Sequence, residues 1–119
     1  MMRLAARVIA LTGNTIGDQK LAAFLIVEIR DVHDEQTYAQ YRERVPSTLA
    51  ANGGAYLVRG GRVEVLEGSW QPKRVVVVRF DSAEAARSWW DDPGYSELKA
   101  MRQRSTTTNM ILVEGIPNA

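Results

Sequence analysis

Between Tyr56 and Phe80 the chain places four arginines (Arg59, Arg62, Arg74, Arg79), two glutamates (Glu64, Glu67) and Trp70 within sequence that otherwise reads as β-strand. Arginine and glutamate are rare at the ends of buried strands unless they pair with each other or with a ligand. Arg59, Glu67 and Arg74 fall at expected strand ends beside Trp70. A planar guanidinium fork there could clamp a carboxylate or phosphate through two parallel hydrogen bonds. Glu67 could instead bridge the two arginines and only fix the loop. Strand-end and loop positions are where binding groups concentrate, so both readings stay open.

Strand parity supplies a second constellation. If Val76, Val78 and Phe80 face the helices, then Val75, Val77 and Arg79 face the opposite side of the sheet. Phe24, Ile26 and Glu28 share one parity on the first strand, and if that parity faces the same way, Glu28 could meet Arg79. A buried carboxylate beside an arginine keeps its charge and could orient a substrate or accept a proton. The alternative is a structural ion pair at a strand end or dimer seam. His33 is the single histidine, placed between Asp31 and Asp34. It could act as a general base, although an exposed position beside a helix cap explains it more simply. As a metal or haem ligand it would stand nearly alone, so no metal and no cofactor is expected. Tyr38, Tyr41 and Tyr95 read as core or rim residues, any of which could offer a hydroxyl to a ligand.

The elements that must position these groups follow from pattern. Ala22–Ile29 is an apolar, β-branched run and reads as a strand. Asp34 is a helix N-cap, and Tyr38, Tyr41, Val45 and Leu49 line one face of the helix that follows. Pro46 should kink or break that helix at Val45, and Gly53-Gly54 should end it. Tyr56–Arg59 and Arg62–Glu67 read as two strand segments joined at Gly60-Gly61, either as a tight hairpin or as one strand bent by a bulge. Arg74–Phe80 is the next strand, followed by a helix capped by Asp81 or Ser82. That helix carries Trp89 and Trp90, one for the core and one for an edge. A short helix over Tyr95–Arg104 and a final strand over Thr106–Val113 complete the chain. Strand, helix, strand pair, helix, strand is the βαββαβ split unit of an α+β, ferredoxin-like fold.

Composition bounds the function. The sequence has 119 residues, with 15 basic against 14 acidic residues and no cysteine. One domain is expected, over residues 22–117, preceded by an extension over residues 1–21 whose apolar patch is too short and too interrupted for a signal peptide. Near-neutral charge argues against a nucleic-acid surface, and no apolar run is long enough to span a membrane. The absence of cysteine excludes disulfides and thiol chemistry and fits a cytoplasmic location. Leu25-Ile-Val27, Val75–Val78 and Met110–Val113 are apolar on both parities, so the sheet face away from the helices needs cover. A second copy packed sheet to sheet is the economical cover, and a homodimer is expected.

With these motifs placed, the chain resembles a bacterial family known as domain of unknown function 1330, within the dimeric α/β-barrel superfamily of ferredoxin-like proteins. The resemblance rests on Tyr38, Tyr41 and Arg44-Val-Pro46, on Tyr56-Leu-Val-Arg-Gly-Gly61 and on Val65-Leu-Glu-Gly-Ser-Trp70. Pro72-Lys-Arg74, Phe80, Ala86, Tyr95, Leu98, Arg102 and Leu112-Val-Glu-Gly115 complete it, over roughly residues 22–116. It implies the fold and the dimer, but no particular activity, because relatives in the superfamily range from cofactor-independent oxygenases to binding proteins. Two functions are therefore expected as alternatives. One is a small-molecule site built from Phe24, Glu28, Trp70 and Arg79 with His33 and Tyr95, the ligand being anionic if Arg59, Glu67 and Arg74 form its mouth. Glu28 or His33 could move a proton there without a cofactor. The other is a non-catalytic binding or assembly module whose polar strand ends secure the dimer.

Overall fold

β1 (Ala23–Val32) is the organising strand, pairing antiparallel with both β3 (Arg74–Phe80) and β4 (Thr106–Glu114). With β2 (Ala55–Arg59) added outside β3, the sheet runs in the order β2-β3-β1-β4. The computed structural model describes residues 21–119, and all but the last residue of the expected N-terminal extension lies outside them. Three helices, α1 (Glu35–Ala51), α2 (Ala83–Trp90) and α3 (Pro93–Ser105), connect the strands. The architecture is α+β and ferredoxin-like. Among the described residues, no helix is long and apolar enough to cross a membrane.

Alternation along the strands divides the sheet into two unlike faces. Leu25, Val27, Ile29, Val78 and Phe80 are buried against Tyr38, Tyr41, Val45 and Leu49 of α1, Trp89 of α2, and Tyr95, Leu98 and Met101 of α3. The other face carries Phe24, Ile26, Val75 and Val77, all only partly covered, and exposes Ile111 and Val113. The helix ends follow their caps. The Asp34 carboxylate accepts from the Thr37 backbone N–H at 3.1 Å, and the Ser82 hydroxyl, rather than Asp81, accepts from that of Ala85 at 3.1 Å. Gly53 takes a φ of +79° just after α1, a conformation that suits glycine at a helix end.

Trp89 and Trp90 divide as adjacent helical positions must. Trp89 is buried with its ring centroid 4.1 Å from that of Tyr95, and its indole N–H donates to the Thr48 hydroxyl at 3.0 Å. Trp90 lies at the edge under the Lys99 ammonium. Trp89→Ala removes the largest of the fully buried side chains and is expected to cost about 3–5 kcal/mol, measured by urea unfolding.

Two expectations are corrected. Arg62–Glu67 is not a strand. Gly60 adopts a φ of +73° and donates its N–H to the Val75 carbonyl at 3.0 Å, after which the chain leaves the sheet. Residues 61–66 contain no helix, turn or bend, and no ladder partner. Their alternating pattern is that of a strand, but the chain does not fold back to pair with the outer edge of β2. Pro46 does not break α1, which runs unbroken through it from Glu35 to Ala51. Buried Val45 and Leu49 on the core face hold the helix across the proline.

Candidate functional site

The proline leaves a chemical mark. Without an N–H at position 46, the Arg42 carbonyl one turn earlier lacks its helical donor. The Arg59 guanidinium, reaching over from the end of β2, donates to that carbonyl at 2.8 Å. Arg59 also lies over the Tyr56 ring, 4.6 Å from its centroid. Pro46 and Tyr56 thus fix Arg59 at the mouth of a cleft between α1 and the sheet. Pro46→Ala restores the helical donor. It is expected to raise stability by about 1–3 kcal/mol in urea unfolding while releasing Arg59, seen as faster solvent exchange of its guanidinium protons by NMR.

Arg74, at the start of β3, faces the same cleft. Its Nε donates to the Tyr38 hydroxyl at 3.1 Å, and its guanidinium passes over Gly60, where a Cβ would collide with it. Two constraints therefore fall on residue 60, its positive φ and the space that Arg74 needs. Arg42 completes the mouth, stacked 5.5 Å above the Tyr38 ring centroid.

Below the mouth the cleft is walled by Val27, Ile29, Val45 and Val76, with a cavity of about 40 Å³. Tyr41 and Arg102 line it from the helix side. The Tyr41 and Tyr95 hydroxyls lie 2.9 Å apart, and Arg102 Nε donates to the Tyr95 hydroxyl at 3.4 Å. The Arg102 guanidinium also sits 6.0 Å from the Tyr41 ring centroid. Burial first, and then the neighbouring Tyr95 hydroxyl, push the Tyr41 phenol well above its ordinary pKa. It stays protonated and can donate to an anion. Burial raises the Tyr56 phenol as well.

The electrostatics of this cleft are one-sided. Arg102 is only 4% exposed, yet its described side-chain partners are phenols rather than carboxylates. Ion pairs elsewhere join Arg44 to Glu97 and Arg79 to Asp81, and among the described residues none involves Arg42, Arg59, Arg74 or Arg102. A guanidinium carries five N–H donors, and burying it beside neutral groups alone is costly. Among the described residues the lining includes no aspartate, glutamate or histidine, so these residues offer cations and hydroxyl donors but no carboxylate or imidazole base.

The residues singled out from the sequence separate into groups. Arg59 and Arg74 come together at the mouth, with Tyr95 hydrogen-bonded beneath it. Glu28 and Arg79 do share the open face, but they do not meet. Glu28 lies opposite Val75 and Arg79 opposite Phe24, so the antiparallel register sets them four positions apart. Arg79 instead donates to Asp81 at 2.8 Å and to the Ala119 carbonyl at 3.0 Å. Glu28 accepts from Asn109 at 3.1 Å and from the Trp70 indole at 3.0 Å. These bonds, Asn109 first, hold its carboxyl below the usual glutamate range and make it a weaker base.

Trp70 is therefore on the open face, not at the mouth with Arg59 and Arg74, and Glu67 is exposed without bridging the two arginines. Phe24 packs on Gly115, where a Cβ would strike its ring. His33 directly follows β1 and lies beside the start of β4, with Nε2 2.8 Å from the Thr107 hydroxyl and Nδ1 3.4 Å from Asp31. Arg102, Arg42 and Tyr56 were not singled out from their types and spacing. Arg102 carried a readable signal, since it follows Tyr95 and Leu98 on the buried face of α3. A charged residue in that stripe calls for a partner.

Comparison with known proteins gives the following. Residues 22–116 match the model of the family described as "Domain of unknown function (DUF1330)". The crystal structure of RPA0582, a protein of unknown function from Rhodopseudomonas palustris, superposes with a TM-score of 0.69 at 17% identity, covering 82% of this chain and 85% of that one. Methylated RPA0582 gives 0.69 at 16% identity, covering 85% of each chain. A dimeric ferredoxin-like protein of unknown function from Thermobifida fusca gives 0.47 at 13% identity, covering 81% of this chain and 92% of its own. No curated protein matches the chain.

Proposed function

The chain belongs to the DUF1330 family, and on that premise we propose that it is a homodimer whose protomers each bind a small organic carboxylate in the cleft between α1 and the sheet. The observation that carries this reading is Arg102, a buried guanidinium whose described neighbours are hydroxyls and apolar groups. An anionic head group seated beside it would accept from the guanidinium and from the Tyr41 or Tyr95 hydroxyl. Charge-assisted hydrogen bonds of that kind are about twice as strong as neutral ones. The cavity suits a carboxylate-sized head, and the rest of the ligand would run out along Val76 and Ile29 past Arg59 and Arg74. Among the described residues the lining has no carboxylate or imidazole to take a proton, which supports binding over proton transfer.

The open sheet face supports the dimer in this reading. Phe24, Ile26, Val75, Val77, Ile111 and Val113 form an apolar surface that a second copy would cover. Glu28, His33 and Arg79 then border the seam between protomers and act as positioning groups there.

The test is calorimetric titration with acetate, butyrate, hexanoate and benzoate, with the matching primary amides as neutral controls. Carboxylates are expected to bind more tightly than their amides by at least about tenfold, the effect of one charged hydrogen bond. Equal binding, or none, sinks the assignment.

A further inference from the structure

The cleft gathers positive charge out of proportion to the chain. Basic and acidic residues nearly balance in the sequence, 15 against 14. Yet Arg42, Arg59, Arg74 and Arg102 all line this one cleft, with no described aspartate or glutamate among them. Elsewhere the fold answers an arginine with a carboxylate, Glu97 lying 3.2 Å from Arg44 and Asp81 2.8 Å from Arg79. Like charges drawn together repel, and an anion between them relieves that repulsion.

One carboxylate beside Arg102 leaves the outer three unanswered. These are held in place, but by neutral groups. Arg59 donates to the Arg42 carbonyl, Arg74 donates to the Tyr38 hydroxyl, and Arg42 lies over the Tyr38 ring. Each of those hydrogen bonds uses one of the five N–H donors that a guanidinium carries. Side chains fixed in advance lose little freedom when a ligand arrives, which favours binding.

The register separates the outer cations from the inner one. Arg59 precedes Gly60, over which the Arg74 guanidinium passes, so these two arginines share one rim. Arg74 pairs with Ile29 of β1, whose partner on its other side is Thr108 of β4. Arg102 shares a pocket with Thr106 and Thr108. Two strand spacings, roughly 10 Å, therefore lie between the strand positions beneath the rim and those beneath Arg102.

We propose that the ligand is a dicarboxylate, with its inner carboxylate at Arg102 and its outer one between Arg59 and Arg74. The proposal rests on the carboxylate site described above and specifies the class of molecule that fills it. The apolar chain crosses Val76 and Ile29, and the outer carboxylate accepts from the two guanidinium forks. Adipate covers more of the distance between the cations than succinate does. Arg59 is exposed and Arg74 partly so, which makes the outer contact the weaker of the two and the more sensitive to salt.

Calorimetric titration of the full-length protein with adipate, its monomethyl ester, succinate and hexanoate tests this. Adipate is expected to bind at least about tenfold more tightly than its ester, and more tightly than succinate, with the advantage over the ester shrinking as salt rises. Arg59→Met and Arg74→Met, checked for folding by circular dichroism, are each expected to bring the adipate-to-ester ratio toward one. Equal binding of adipate and its ester, a succinate as tight as adipate, or a preference that neither variant reduces overturns the proposal. Each of those results leaves the single-carboxylate site standing. If hexanoate, the ester and adipate all fail to bind, the single-carboxylate site falls as well.

Discussion

Arg102→Met is expected to abolish the proposed carboxylate binding, with affinity falling by on the order of 100-fold, while the folded chain becomes no less stable. The two effects share one cause. In the free protein the guanidinium is buried among phenols and apolar side chains, so its desolvation is not offset by an ion pair. Replacing buried charge with a well-packed apolar side chain of similar length is often neutral or stabilising. With a carboxylate bound as proposed, the same guanidinium would make the charged hydrogen bonds that hold the head group, worth about 1.5–3 kcal/mol each. Urea unfolding and titration calorimetry read the two effects separately. Opposite signs mark a binding residue, whereas a purely structural arginine would lower stability and affinity together.

Ile26→Lys is expected to convert the proposed dimer to a monomer at micromolar concentration, seen by sedimentation equilibrium. Ile26 is on the open face of β1, opposite Val77 in the central pair of strands and opposite Ile111 on the other side. A two-fold interface centred there would bury two new ammonium groups, each costing several kcal/mol without a partner. The monomer should keep its circular dichroism spectrum, because Ile26 faces away from the helices and its lysine would be solvated. Carboxylate binding should survive as well, since the cleft lies on the other face. Binding lost along with the dimer would place the site between protomers instead.

The sequence made the scaffold readable where periodicity and burial agree. Tyr38, Tyr41, Val45 and Leu49 recur at helical spacing and are all buried on α1, and the apolar runs marked three of the four strands. Residues 62–67 misled because alternation reports a strand's two faces and says nothing about a partner for its backbone. Pro46 misled for a related reason. Propensity prices the lost hydrogen bond, but the buried face that holds α1 together and the arginine that takes over the Arg42 carbonyl are tertiary facts.

The candidate site was half legible. Arg59 and Arg74 stood out as charges at strand ends, and both reach the cleft. Parity put Glu28 and Arg79 on one face correctly, yet parity carries no information on register, and register keeps them apart. Trp70 is near Arg74 in sequence, but it reaches Glu28 on the open face. Arg102 and the Tyr41–Tyr95 hydroxyl pair depend on how α3 packs against α1, which no local pattern specifies.

A crystal structure of the protein soaked with 4-bromobenzoate tests the central claim most directly, because the bromine's anomalous signal locates the ligand independently and an aryl bromide does not alkylate the protein. The carboxylate is expected within hydrogen-bond distance of the Arg102 guanidinium and of the Tyr41 or Tyr95 hydroxyl, with the bromophenyl group directed toward Arg59 and Arg74. A carboxylate bound only on the open sheet face, or an Arg102 that stays among its phenols while ligand occupies another place, would contradict it.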